Sequence, residues 1–266
     1  MNGQAQSARW RPPAMIESPL LRYGLLLLAA AYLVWSLGAL EVDWTRTSQG
    51  WERASRIFSR MFPPDFSRWN LLLRGITESL EMALAASFIG MILAIPVGLC
   101  AASNIAPRPV YLFARGILVL TRTFHEVIIA ILFVKIFGFG PLAGVLTLVV
   151  ASISFIGKML AEDIENLGSQ QMEAIRATGA SFPKVLIYGV MPQILPRYLG
   201  VSIYRLDANI RHSTVVGIVG AGGIGQTLSA TFSRYDYDFS LAILLTIVAL
   251  VFLGEFFSNW VRGRLR

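Results

Sequence analysis

The sequence predicts an all-α, polytopic membrane bundle of about six spans, and three observations carry that prediction. The first is composition. Hydrophobic residues make up 55% of the 266 residues and charged residues 15%, and the mean hydropathy is +0.60. Soluble domains carry about 25% charged residues. The second is a series of apolar runs, each close to the roughly 20 residues that a bilayer requires of a helix. The third is a single polar-to-amphipathic stretch, residues 169–196, set between two of those runs. The net charge of +7 suggests nucleic acid in a soluble protein. In this composition it points instead to loops beside anionic lipid, and nucleic acid is not an expected partner. Cys100 is the one cysteine, so a disulfide framework and a thiolate metal site are excluded.

Residues 1–19 are polar and read as a cytoplasmic tail, followed by a transmembrane domain over 20–266. Residues 20–40 form the first span. Ala29-Ala30-Ala31 resembles a signal-peptidase site, but the apolar run continues through Trp35, which favours an uncleaved anchor. In the long segment 41–76, Trp51, Ala54, Ile57, Phe58 and Met61 share one helical face, and Arg53, Arg56 and Arg60 share another. That is the pattern of an interfacial helix or of a helix packed on the bundle. The second span covers about 78–102, with Pro96 as a kink. A turn at 104–109 leads to a third span over about 111–137, and a tight turn at 138–141 to a fourth over 142–160. The fifth covers about 197–219 and the sixth about 239–260, with a glycine-rich loop between them.

The polar stretch, within a cytoplasmic segment 163–196, reads as two short helices at an angle. Ser169 is a candidate N-cap, and Glu173 falls in the first turn. Gly179 suits a left-handed helix end. Ser181 can cap a second helix, which Pro192 and Pro196 stop or bend. Glu173-Ala174-Ile175, three residues, Gly179, and Pro192 thirteen residues later resemble the coupling motif of ABC importer permeases: Glu-Ala-Ala, three residues, Gly, nine residues, Ile, one residue, Leu, Pro. Ile175 stands at the third position of that motif, Gly189 where Ile is usual, and Met191 where Leu is usual.

Charges inside spans are costly and therefore informative. The third span holds Arg122, His125 and Glu126, with Arg122 and Glu126 spaced to pair on one helix face. The fifth holds Arg205, Asp207, Asn209, Arg211, His212 and Ser213. Asp207 and Arg211 are also spaced to pair, whereas Arg205 has no acidic residue four positions away. Two readings stand side by side: self-paired charges that stabilise a bundle, or an anion path in which Arg205 faces the permeant. The run Gly220, Ala221, Gly222, Gly223, Ile224, Gly225 fits G-x-G-x-x-G, but a dinucleotide fold would need a helix after it and then a second strand with an acidic residue. A phosphate loop would need Lys where Gln226 stands. Together with Gly217, these glycines read as close backbone packing and a turn at membrane depth. With two histidines and no clustered carboxylates, neither a metal site nor a hydrolytic centre is expected.

The wider C-terminal runs, residues 173–180, 188–193, 204–205, 209–211 and 213–225, together with 62–69 ahead of the second span, are similar to the permeases of phosphonate ABC importers. The resemblance covers roughly residues 60–260. In place of that family's usual Asn-Glu, this chain has His125-Glu126. The resemblance implies a methionine-importer-like permease fold working as a homodimer in the bacterial inner membrane. An ATPase dimer would drive it, and a periplasmic binding protein would deliver a phosphonate or a related oxyanion such as phosphite. It implies no cofactor and no catalytic residue in this chain. Glu173, Ala174, Ile175, Gly179 and Pro192 would meet the ATPase, and Arg205, Asn209, Arg211, Ser213, Arg122, His125 and Glu126 would line the path. Six spans place both ends on one side. The coupling motif, with Arg9, Arg11, Arg262, Arg264 and Arg266, assigns that side to the cytoplasm. The arginine-bearing loop 41–76 then lies outside, against the positive-inside rule. A secondary transporter would show inverted repeats and an ion-site carboxylate in a broken helix. A phosphotransfer enzyme would need more than His212-Ser213. Neither pattern is present in the sequence.

Overall fold

A computed structural model describes residues 18–40 and 43–264, and the described residues contain helices and no strand. Two compact units divide between Ile57 and Phe58. In the first lies α1 (Pro19–Ala39), started by Ser18, whose hydroxyl accepts from the Leu21 amide. Helix α2 (Trp44–Met61) begins after Asp43, whose carboxylate accepts from the Thr45 and Arg46 amides. The tail residues 1–17 lie outside the described residues.

The second unit is built around α3 (Trp69–Cys100) and α6 (Pro141–Glu165). Met82, Ala86, Gly90, Ala94 and Gly98 recur every fourth residue along the buried face of α3. A Cβ on Gly90 would lie 2.5 Å from Ser152 Cβ, and one on Gly98 would lie 2.7 Å from Leu160 Cδ2. Small residues thus let the two backbones approach, which is how helices gain contact in lipid. Helix α3 starts at Trp69, well before the expected 78, because residues 69–77 are helix-competent although mixed in polarity. At 1.5 Å per residue its 32 residues span about 48 Å, more than the roughly 30 Å of hydrocarbon.

The third span is not one helix. It consists of α4 (Arg108–Thr123) and α5 (Glu126–Phe137), bent by 94°. Phe124 and His125 are extended, and His125 Nδ1 accepts from the Val127 amide, which caps α5. Neither Pro nor Gly marks the break, so the hydropathy runs through it. Five helical stretches among the described residues are long and apolar enough to cross a membrane, or six with the bent pair as one span.

Helix α7 (Ser169–Ala177) is followed by one helical turn, α8 (Phe182–Val185), and a π-helical turn, Leu186–Val190. These run directly into α9 (Met191–Ile218). The expected second helix is therefore corrected to a turn continuous with the span, so of the two effects expected of the prolines, a stop or a bend into the next segment, the stop is excluded. Pro192 sits in the first turn of α9 and Pro196 inside it. Pro192 has no amide to give the carbonyl four residues back, and the π turn lies where that bond is missing. The glycine loop is shorter than expected, since α10 (Gly223–Ser233) folds back against α9 before α11 (Tyr237–Arg264) begins. A Cβ on Gly225 would lie 1.9 Å from the Thr214 carbonyl oxygen, and one on Gly217 would lie 2.4 Å from that of Gly222. Only hydrogen side chains fit that hairpin. The amides at its start donate to Glu78 and Ser79 of α3, Gly223 N–H to Glu78 Oε1 and Ile224 N–H to Ser79 Oγ, both at 2.9 Å.

Candidate functional site

The coupling stretch is built locally. Met172 and Ile175, one turn apart on α7, turn inward onto Leu160, Ile164, Val185 and Val190. Glu173 and Ala174 lie on the opposite, exposed face. Gly179 follows with φ of +79°, its amide donating to the Arg176 carbonyl at 2.9 Å, and with open space around it. Helix α7 starts at Ser169 with Gly168 as N-cap, so Ser169 is the first helical residue and not the cap. Pro192 is exposed at the top of α9. The two departures from the coupling motif meet in space: a Cβ on Gly189 would lie 3.2 Å from Ile175 Cδ1. The larger residue at 175 occupies room that a larger residue at 189 would need.

A second polar group forms mid-bundle from four helices. Arg205 on α9 is buried at 6% exposure. Its Nη2 donates to Glu126 Oε1 at 2.9 Å and its Nε to Ser152 Oγ at 3.1 Å. The other oxygen of Glu126 meets His212 Nδ1. Asn209 donates to Ser87 Oγ at 2.8 Å and to Ser152 Oγ at 2.9 Å, while its own oxygen is buried without a partner. Two expectations are corrected here. Arg205 does have an acidic partner, supplied across the bundle by α5. Glu126 pairs with α9 and not with Arg122, because the break at Phe124–His125 takes the two off a common helix face.

Arg122, His125, Glu126, Arg205, His212 and Phe155 help to line one cavity of about 300 Å³. Among the described residues Arg122 has neither an ion pair nor a side-chain hydrogen bond, so the wall carries a net positive charge. Arg211 lies apart. It pairs with Asp207 at 2.9 Å, and its side chain is 49% exposed while that of Asp207 is 7% exposed. Ser213 is buried and donates to the Ile210 carbonyl. The sequence reading missed His212, Ser152 and Ser87 as members of this group. One signal was available: residues 205 and 212 are seven apart, nearly two full helical turns, and so share a face.

At the end of the bundle away from the coupling stretch, a cavity of about 430 Å³ is lined by Arg68, Arg74, Glu78, Gln226, Arg234 and Asp236 among others. The Arg68 guanidinium donates to Asp236 Oδ2 at 2.6 Å and stacks over the Phe239 ring at 3.9 Å. That hydrogen bond holds the Asp236 carboxyl below its ordinary value. The Ser67 hydroxyl and amide do the same for Asp65.

Residues 94–266 match the family described as "Binding-protein-dependent transport system inner membrane component". Over 241 residues the chain is 39% identical to the phosphite transport system permease protein PtxC of Stutzerimonas stutzeri, covering 90% of this chain and 86% of that one. It is 38% identical over 211 residues to the phosphate-import permease protein PhnE of Mycolicibacterium smegmatis, covering 79% of this chain. The chain spans only 40% of the length of that mycobacterial relative. In fold it is similar to an inward-facing structure of the MetNI methionine ABC transporter, with a TM-score of 0.65 at 24% identity over 76% of this chain and 99% of that one. By the extent of these matches, this membrane protein belongs to the binding-protein-dependent transport system inner membrane component family, the permease subunits of ABC importers.

Proposed function

We propose that this chain carries a phosphorus oxyanion, phosphite or a phosphonate, across the bacterial inner membrane. It works as a homodimer with an ATPase dimer on the cytoplasmic side and a binding protein outside. The observation that carries this reading is the mid-bundle cavity with Arg122, Arg205 and His125 on its wall and Glu126 in bridging position. The names of the phosphite and phosphate relatives support the same class of permeant. Glu126 occupies Arg205 when no permeant is present. An arriving oxyanion must exchange with that carboxylate, so attraction is real but net binding stays weak enough for release. Both termini and the segment 163–196 lie in the cytoplasm in this arrangement. There Glu173 and Ala174, on the exposed face of α7, and Gly179 just beyond its end meet the ATPase, and Ile175 seats the helix on the bundle.

Uptake into proteoliposomes holding the assembled transporter tests the reading, with phosphite, methylphosphonate and phosphate as the panel. At least one should accumulate only with both ATP and binding protein. Gly179→Asp should abolish that uptake with the protein still inserted, since a Cβ at this φ costs about 1–2 kcal/mol and adds charge to the exposed face. Accumulation without ATP would favour a secondary transporter, and no accumulation of any of the three would overturn the substrate class.

A further inference from the structure

Arg108, Arg115 and Arg122 stand seven residues apart on α4. Seven residues are nearly two turns, so the three share one stripe, at intervals of about 10.5 Å along the axis. Arg115, Arg122 and Lys158 of α6 line a second cavity of about 290 Å³. Arg122 lines this cavity and the mid-bundle one alike. The stripe therefore runs from the start of α4, beside the end of α3 that packs on the coupling stretch, to the cavity around Glu126 and Arg205. Arg115 is held by Glu165 at 2.6 Å and by the Ala101 carbonyl, and Lys158 by Glu162 at 3.3 Å. Arg122 is held by nothing among the described residues. A cation at the last turn of a helix suits the helix dipole. That accounts for Arg122 alone and not for two more cations on the same groove.

From this we infer that the α4–α6 groove is the cytoplasmic leg of the anion path. It receives a phosphorus oxyanion from the Arg205 cavity at Arg122 and passes it along Lys158 and Arg115. The inference rests on the function proposed above. Fixed carboxylates on Arg115 and Lys158 moderate the attraction, as a conducting path requires. The same chemistry, a phosphoryl oxyanion on arginine, would also describe a lipid headgroup, and the experiment must separate the two.

Arg122→Cys in a Cys100→Ser background is treated, in inside-out vesicles of the whole transporter, with an anionic, membrane-impermeant thiosulfonate. Labelling that phosphite slows is expected, and no labelling would place Arg122 against lipid and overturn the groove. In uptake, Arg122→Gln should lose at least about tenfold, the scale of one charge-assisted hydrogen bond, and Arg122→Lys should recover part of it. That ratio should be equal in zwitterionic liposomes and in liposomes with phosphatidylglycerol. A ratio that falls to one without anionic lipid would make the headgroup the ligand and overturn the proposal. Full uptake by Arg122→Gln beside an active unsubstituted transporter sinks the groove alone. An unsubstituted transporter that carries none of the oxyanions sinks the function reading with it.

Discussion

The α7 knob and the Glu126 cluster are both polar departures from an apolar bundle, but they are made in opposite ways. The knob draws its parts from fewer than thirty consecutive residues, exposes one face and packs the other. The cluster draws Ser87, Glu126, Ser152, Arg205 and His212 from four separate helices, with Ser152 and Arg205 buried and the other three half-buried. In the knob the exposed face can change without disturbing the packed one. In the cluster Glu126, Ser152, Arg205 and Asn209 each bond two other side chains, and removing Glu126 takes the counter-charge from the buried Arg205. The knob should therefore tolerate substitution as a fold and fail as a contact, whereas the cluster should fail as a fold.

Glu126→Ala should show the largest effect. It leaves Arg205, at 6% exposure, with Ser152 as its remaining hydrogen-bond partner and no counter-charge. An unpaired charge at this depth costs at least about 2.5–3.5 kcal/mol. Yield and thermal midpoint in detergent should both fall, and Arg205→Leu on top of Glu126→Ala should restore part of each by removing the stranded charge. Asp207→Asn makes the contrast within the same helix. Its partner Arg211 is 49% exposed and can be solvated, so the loss should be smaller. A larger loss from Asp207→Asn than from Glu126→Ala would break the comparison.

The same difference explains what could be read from the sequence. The Gly179 stop and the apolar runs are local, and they place α7, α6 and α11 close to where they lie, although the expected cap Ser169 is one residue off. The cluster is long-range. The pairing of Arg122 with Glu126 fails because two extended residues, Phe124 and His125, rotate α5 out of register with α4, and no composition signal marks them. Arg205 looked partnerless because only its own helix was searched. The small-residue stripe from Met82 to Gly98 was legible in principle, since its period of four is visible in the sequence. Helix α10 was hidden, because the glycines that permit its hairpin are also what a loop would show.

A smaller effect should come from the knob itself. Gly189→Ile alone forces a side chain against Ile175 Cδ1, 3.2 Å from the new Cβ, and overpacking of this kind costs about 1–3 kcal/mol. Ile175→Ala alone opens space under α7. The double substitution recreates the usual sizes of the coupling motif and should be better than the sum of the two. A coupling energy of about 0.5–3 kcal/mol is expected from the cycle, read as ATPase co-purification and thermal midpoint. Strict additivity would show that the two departures are independent and that their contact is incidental.

The smallest effect belongs to the far end of the bundle, where the chain entering α3 is clasped to the chain entering α11. Arg68 bonds Asp236, and the Asp65 amide donates to the Asp238 carbonyl at 3.2 Å. The Asp236 side chain is 27% exposed and that of Arg68 40% exposed, so the pair contributes at most about 1 kcal/mol. Its sign with pH follows from the Asp236 carboxyl lying below its ordinary value of 3.8 because of the Arg68 hydrogen bond. The folded state favours the ionised form, so the contribution is fully present above the ordinary carboxylate range and is lost as pH falls through the lowered value. Asp236→Asn should lower the detergent thermal midpoint slightly at neutral pH. The difference from the unsubstituted chain should shrink as the medium is taken down through that range. An equal difference at both ends of the titration would assign the loss to packing against Phe239 instead of to the ion pair. The clasp would then resemble the knob, a local contact, more than the charge-matched cluster in the middle.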